Sequence, residues 1–139
     1  MNFHAGENDG ITALYLATYG ADKPEARASI LKLLLGHGAN PHTKSFNSSR
    51  TPLHHAAEYG LTDAVNILID HRADIEAKDR ENWTPIFFAV QYNRPKVVKA
   101  LLAAGANPAP NGRILRTTAM RIAKDHKNDE IIKMLRPYF

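Results

Sequence analysis

Thr51-Pro52-Leu53-His54-His55-Ala56-Ala57 is the stretch on which the reading of this chain turns. It returns further along as Thr84-Pro85-Ile86-Phe87-Phe88-Ala89-Val90, and again in worn form as Thr118-Ala119-Met120-Arg121-Ile122-Ala123-Lys124. Thr12-Ala13-Leu14-Tyr15-Leu16-Ala17-Thr18 is an earlier copy, set slightly further from its successor than the others are. Each copy is followed by an apolar block: Ile30–Leu35, Ala64–Ile69, Val97–Leu102 and Ile131–Leu135. Three of these blocks run into a turn, at Gly38-Ala39-Asn40-Pro41, Arg72-Ala73-Asp74-Ile75 and Gly105-Ala106-Asn107-Pro108. Four units at near-constant spacing, each too thin to bury its own apolar face, predict a stacked array.

Local chemistry points to helices in pairs. Pro52 and Pro85 follow a Thr and fall in a first helical turn, where the missing N–H is harmless and φ is already set. Ala56 and Ala89 are small enough to let neighbouring helices approach. Second helices are expected to start at Asp22 before Pro24, Thr62 before Asp63, Asn93 before Pro95 and Asn128 before Asp129, where side-chain oxygens can accept from free N–H groups. Gly36-His37-Gly38 reads as a helix ending. Gly10, Asn82 and Gly112 suit left-handed turn positions, and Ser49 at the matching place predicts a turn of different form. Leu53, Ala56, Val65, Leu68, Ala89, Val98 and Leu101 are the expected core.

The Thr-Pro-Leu-His-x-Ala core, the apolar pair with Leu-Leu and the Gly-Ala-Asn turn resemble the ankyrin repeat, over roughly residues 7–136. The resemblance implies an all-α solenoid of four stacked helix-turn-helix units with hairpin-like connections. The whole chain, 1–139, then forms one domain, with repeats near 7–42, 46–78, 79–111 and 113–139. Unit one is longer between Thr12 and Ala39 than unit two is between Thr51 and Ala73. That surplus either extends the second helix back to Pro24 or makes a protruding loop. Unit four lacks the Pro and the His, and places Arg136 where Ile69 and Leu102 stand earlier, as expected of a solvated array end.

Composition narrows the function. The chain has 139 residues, 44% apolar and 23% charged, which is ordinary for one soluble domain. Its start lacks the cationic head and apolar stretch of a secretory signal, and no apolar run approaches the ~18 residues of a membrane span. Cysteine is absent, which removes disulfides and thiolate chemistry. Residues 1–112 balance eleven basic against eleven acidic residues, so the net +4 resides wholly in 113–139, with seven against three. A uniformly basic nucleic-acid binder is therefore not expected.

Catalysis finds no foothold. There is no nucleophile elbow and no glycine-rich phosphate loop. The seven histidines are scattered, and adjacent His54 and His55 lack the i, i+4 spacing of helical metal pairs. His54 matches the family His that hydrogen-bonds within its own turn. The expectations are no enzymatic activity, no catalytic residue, no metal, no cofactor and no small-molecule substrate.

Recognition by surface remains. The resemblance implies contact positions before each Thr and seven and eight places after it. These are Asn47, Ser48, Arg50, Glu58 and Tyr59 in unit two, and Arg80, Glu81, Trp83, Gln91 and Tyr92 in unit three. Unit one offers Asn8, Asp9, Ile11 and Tyr19, and unit four Ile114, Leu115, Thr117, Asp125 and His126. The site expected from these is Arg50, Glu58, Tyr59, Arg80, Glu81, Trp83, Gln91 and Tyr92, with Trp83 exposed or packed along one ring face near the tyrosines. Tyr, Trp and Arg dominate binding hot spots.

The expected function is non-catalytic binding of a partner protein, as an adaptor or scaffold, in the cytoplasm. Three alternatives stand beside it: the scaffold portion of a larger protein, an exported bacterial effector with its activity elsewhere, and a charge-driven binder of nucleic acid or acidic lipid. The last would use Arg113, Arg116, Arg121, Lys124, Lys127, Lys133 and Arg136.

Overall fold

A computed structural model describes residues 13–20, 22–108 and 113–139. The helices, in chain order, are α1 (Ala13–Gly20), α2 (Pro24–Gly36), α3 (Pro52–Glu58), α4 (Thr62–Asp70), α5 (Pro85–Gln91), α6 (Pro95–Ala103), α7 (Arg113–Asp125) and α8 (Asp129–Leu135). A short 3-10 turn, Arg136–Tyr138, closes the chain. The described residues contain no strand. First helices stack on first helices, α1 on α3, α3 on α5 and α5 on α7, while second helices stack as α2, α4, α6 and α8. This is the all-α array that the repeat predicts. All seven expected core residues, from Leu53 to Leu101, are fully buried.

The repeat recurs at the level of backbone dihedrals. Each long connection follows a residue with left-handed φ: Gly38 (89°), Arg72 (63°) and Gly105 (93°). The next amide then reaches back into the last turn to close the helix, from Ala39 to Leu34, Ala73 to Leu68 and Ala106 to Leu101. Within units the same device uses Gly60 (69°), Asn93 (57°) and Lys127 (53°), with amides of Leu61, Arg94 and Asn128 bonding the carbonyls of Ala56, Ala89 and Ala123.

This geometry corrects several expected helix starts. Asn93 is spent on the left-handed turn, so Arg94 is the N-cap of α6; Leu61, not Thr62, precedes α4, and Lys23, not Asp22, precedes α2. Asn128 does cap α8, accepting from the amides of Glu130 and Ile131. The surplus of unit one lengthens α2 to 13 residues, against nine in α4. The added turn is pinned by Arg27, which donates through Nε and Nη2 to the Asp63 carboxylate at 3.2 and 3.4 Å. Arg136 is exposed, and Phe139 packs back on the core. Gly10 and Gly112 lie outside the described residues.

Candidate binding face

Two hairpin-like connections and the first helices they feed carry the expected site. In the connection before unit three, the Asp79 amide donates to the Trp83 carbonyl, while Asp79 Oδ1 accepts from the amides of Glu81 and Trp83. Asn82 takes the left-handed φ of 65° that the turn requires. In the connection before unit two, Ser45 takes the part of Asp79: its amide reaches the Arg50 carbonyl and its Oγ accepts from the Arg50 amide. Four residues intervene there, against three in the other, which is the different turn form that Ser49 (φ 56°) announces.

The two connections are joined to each other. Arg80 donates through its amide to the Ser48 carbonyl and through Nη2 to the Phe46 carbonyl, at 2.9 and 3.0 Å. Lys44 Nζ reaches the Lys78 carbonyl. The result is a firm ledge from which Phe46 projects, 74% exposed. Sequence reasoning missed Phe46. Its signal was a loop one residue longer than its counterpart, with an aromatic that no repeat position claims.

Beneath the ledge, the first helices supply a polar and aromatic base. Thr51 and His54 cap α3 reciprocally, the Thr51 amide donating to His54 Nδ1 at 3.0 Å. Nδ1 is thus the acceptor, so the ring proton sits on Nε2 and is donated to the Trp83 carbonyl at 2.9 Å. Burial drives the His54 pKa down to about 4, against the smaller opposing pull of the Trp83 carbonyl. His55 is held at about 4 as well, by burial first and the Arg50 charge second. Its Nε2 bonds the Tyr15 hydroxyl.

Arg50 lies at the centre. It donates through Nη1 to Glu58 Oε2 at 3.3 Å, and Nε lies 3.6 Å from Asp79 Oδ2. Its guanidinium carbon stands 4.4 Å from the centroid of the Phe88 ring, a cation–π arrangement. Phe88 in turn stacks on Tyr92, with rings 3° from parallel. Arg50 and Glu58 are therefore engaged within the protein. Tyr59 and Tyr92 hold the same C-cap position on the packed helices α3 and α5, and each is 44% exposed. Burial, then the Glu58 carboxylate, raises the Tyr92 phenol pKa.

Trp83 is half-buried, its ring against Phe87 at 4.2 Å and Phe88 at 5.7 Å between centroids. Glu81 is exposed and Gln91 half-buried. The Gln91 carbonyl accepts from His126 Nε2, and the equivalent Glu58 carbonyl accepts from Arg94 Nε, so units three and four each cap the first helix of the unit before. Asp125 is exposed. Asn8, Asp9 and Ile11, and the side chains of Tyr19, Ile114, Leu115 and Thr117, fall outside the described residues. Among the described residues no group of three or more His, Asp or Glu could hold a metal ion. No described helix is long and apolar enough to cross a membrane.

Stacked helix pairs, a reciprocal Thr–His cap and stitched hairpins define a helical repeat solenoid with a hairpin-edged face. Residues 21–112 match the family model described as ankyrin repeats (3 copies). The chain belongs to the ankyrin repeat family. It is similar to serine/threonine-protein kinase 12 of Arabidopsis thaliana, 34% identical over 75% of this chain and 22% of that protein. It also resembles neurogenic locus notch homolog protein 1 of Xenopus laevis, 27% identical over 95% of this chain and 6% of that protein. A third relative is transient receptor potential cation channel subfamily A member 1 of Homo sapiens, 30% identical over 60% of this chain and 7% of that protein. The chain spans less than a quarter of the length of each of these relatives. Ankyrin repeats are, in general, protein–protein interaction modules, and the domain type is typically non-catalytic.

Proposed function

We propose that this chain binds a partner protein, without catalysis, through the face formed by its hairpins and first helices. The face comprises Arg50, Glu58, Tyr59, Arg80, Glu81, Trp83, Gln91 and Tyr92, with Phe46 on its rim. The observation that carries the reading is the pair Tyr59 and Tyr92, one at the end of each adjacent first helix and each nearly half-exposed. Beneath Tyr92, Phe88 and Arg50 hold a preorganised base. Large amphipathic rings presented from a rigid support lose little freedom on binding, which is how a few residues come to dominate an interface. Arg50 and Glu58 act by supporting that surface, and Arg80 by fixing the ledge that holds Phe46.

A displayed peptide library selected on the purified chain tests this. Binders should lose about ten-fold or more in affinity on Tyr92→Ala or Phe46→Ala, and be indifferent to Lys99→Ala on an exposed position of α6. Binders that ignore Tyr59, Tyr92 and Phe46 but fail on Lys124→Gln with Lys127→Gln would move the site to the basic C-terminal unit.

A further inference from the structure

Unit one exposes what the later units bury. Ile30 on α2 is 41% exposed, yet its counterparts Ala64, Val97 and Ile131 are fully buried, each with a preceding second helix packed beside its own. Leu33 is 61% exposed where Ile67 is 7% and Ala100 and Met134 are half-buried. On α1, Leu16 is 45% exposed where Phe88 is 1%. At Ile30 and Leu33 these are stacking positions that the later units also fill with apolar residues, while the Leu16 position holds His55 in unit two; among the described residues nothing covers them in unit one. The far end of the array differs: Asp129, Glu130, Lys133 and Arg136 are exposed there, and the closing 3-10 turn packs on α8. Head-to-tail stacking would set an apolar face against a charged one.

The additional turn of α2 extends the open face. Ala26, Ser29, Ile30 and Leu33 are all exposed and fall at i, i+3, i+4 and i+7, one continuous stripe on a helix about 20 Å long. Glu25 and Lys32 are both exposed on the same flank of that stripe, one near each end. Against an antiparallel copy of itself, the stripe brings Glu25 opposite Lys32 of the other chain, and Lys32 opposite the other Glu25, because like flanks face each other in antiparallel helix pairs. In that register small Ala26 and Ser29 stand within one helical turn of Leu33 and Ile30 of the other chain, staggered by about 3 Å, so bulk meets space.

We propose that the open face of unit one docks on a second copy of this chain, α2 antiparallel to α2, in a two-fold symmetric dimer. The patch is self-complementary in shape and charge, as an isologous contact requires. One helix pair per chain is a small interface, so the dimer is weak, with a Kd on the order of 10–100 µM.

Sedimentation equilibrium of the full chain over a wide concentration range tests it. The expected result is a monomer–dimer equilibrium that Leu33→Glu abolishes; Leu33 is exposed, so the variant should fold. Glu25→Lys and Lys32→Glu each break two symmetric pairs and should each raise Kd about ten-fold. The double variant Glu25→Lys/Lys32→Glu restores the pairs and should return Kd to near the wild-type value. A chain that stays monomeric at millimolar concentration overturns the proposal and leaves the face to a different helical partner. So does a dimer that survives Leu33→Glu, or a double charge swap that fails to restore association.

Discussion

The His54 ring joins two repeats: Nε2 donates to the Trp83 carbonyl 2.9 Å away, while Nδ1 accepts from the Thr51 amide of its own turn. The Nδ1 bond needs the neutral ring, and burial depresses its pKa from 6.5 to about 4. His55 beside it, bonded to Tyr15 and facing the Arg50 charge, is likewise neutral down to about 4. In the unfolded chain both histidines gain a proton near pH 6.5, whereas the folded protein does not until about pH 4. Their stabilisation is therefore complete above pH 6.5 and is lost as pH falls through the window from about 6.5 to about 4. His54 alone should account for roughly 2–3 kcal/mol of that loss. The urea midpoint at pH 7 and pH 4.5 measures it. His54→Gln should start lower at pH 7 and lose less on acidification; a wild-type midpoint that does not move counts against the assignment.

Thr51 and Thr84 head equivalent helices in different surroundings. Thr51 Oγ1 lies 2.9 Å from His54 Nδ1 within the cap, whereas Phe87 replaces that histidine in unit three and leaves the buried Thr84 hydroxyl without a hydrogen-bond partner. The same substitution should then have opposite signs. Thr51→Val removes a working cap and should cost about 1 kcal/mol, while Thr84→Val removes a buried orphan hydroxyl and should gain about 1 kcal/mol. Chemical denaturation of the two variants decides it, and a shared sign would sink the comparison.

Arg72 stands where Gly38 and Gly105 stand in the neighbouring units, in the same left-handed turn with the same closing hydrogen bond. A side chain there strains the backbone that glycine accepts freely. Arg72→Gly should raise stability by about 1 kcal/mol, read as a higher midpoint at unchanged m-value. Gly105→Ala should do the reverse; open space around Gly105 makes its φ the only penalty.

The repeat makes the fold legible because units two and three restate one solution: Thr-Pro starts the first helix, small Ala56 and Ala89 admit the neighbour, and a turn ends the second. The core followed from the same phase. The starts of α2, α4 and α6 do not follow from it: at α6 the Asn93 side chain looks like a cap in sequence while its backbone is committed to the preceding turn. Phe46 was hidden because one additional loop residue, and not its type, ejects it. Arg50 looks available to a partner in sequence because two of its three contacts, Asp79 and Phe88, lie across the repeat boundary. Spacing places such residues in adjacent units without specifying which side chains meet.

Arg50 offers the sharpest check on that boundary. Its guanidinium meets Glu58 within unit two, lies 3.6 Å from Asp79 in the next hairpin, and covers the ring of Phe88 in the next first helix. The Asp79 side chain is only 3% exposed and that of Glu58 only 14%. Removing the cation leaves two largely buried carboxylates without it, and stranding a buried charge costs far more than an exposed ion pair contributes. Arg50→Met keeps most of the side-chain volume and should still cost about 2–3 kcal/mol. Arg50→Lys keeps the charge but loses the planar fork and the stacked face, and should recover less than half of that. A cycle of Arg50→Met with Phe88→Leu should show coupling of about 1 kcal/mol from the cation–π contact. An Arg50→Met variant as stable as the wild type would return this arginine to the binding surface as an available anchor, and the base beneath Tyr92 would have to be sought elsewhere.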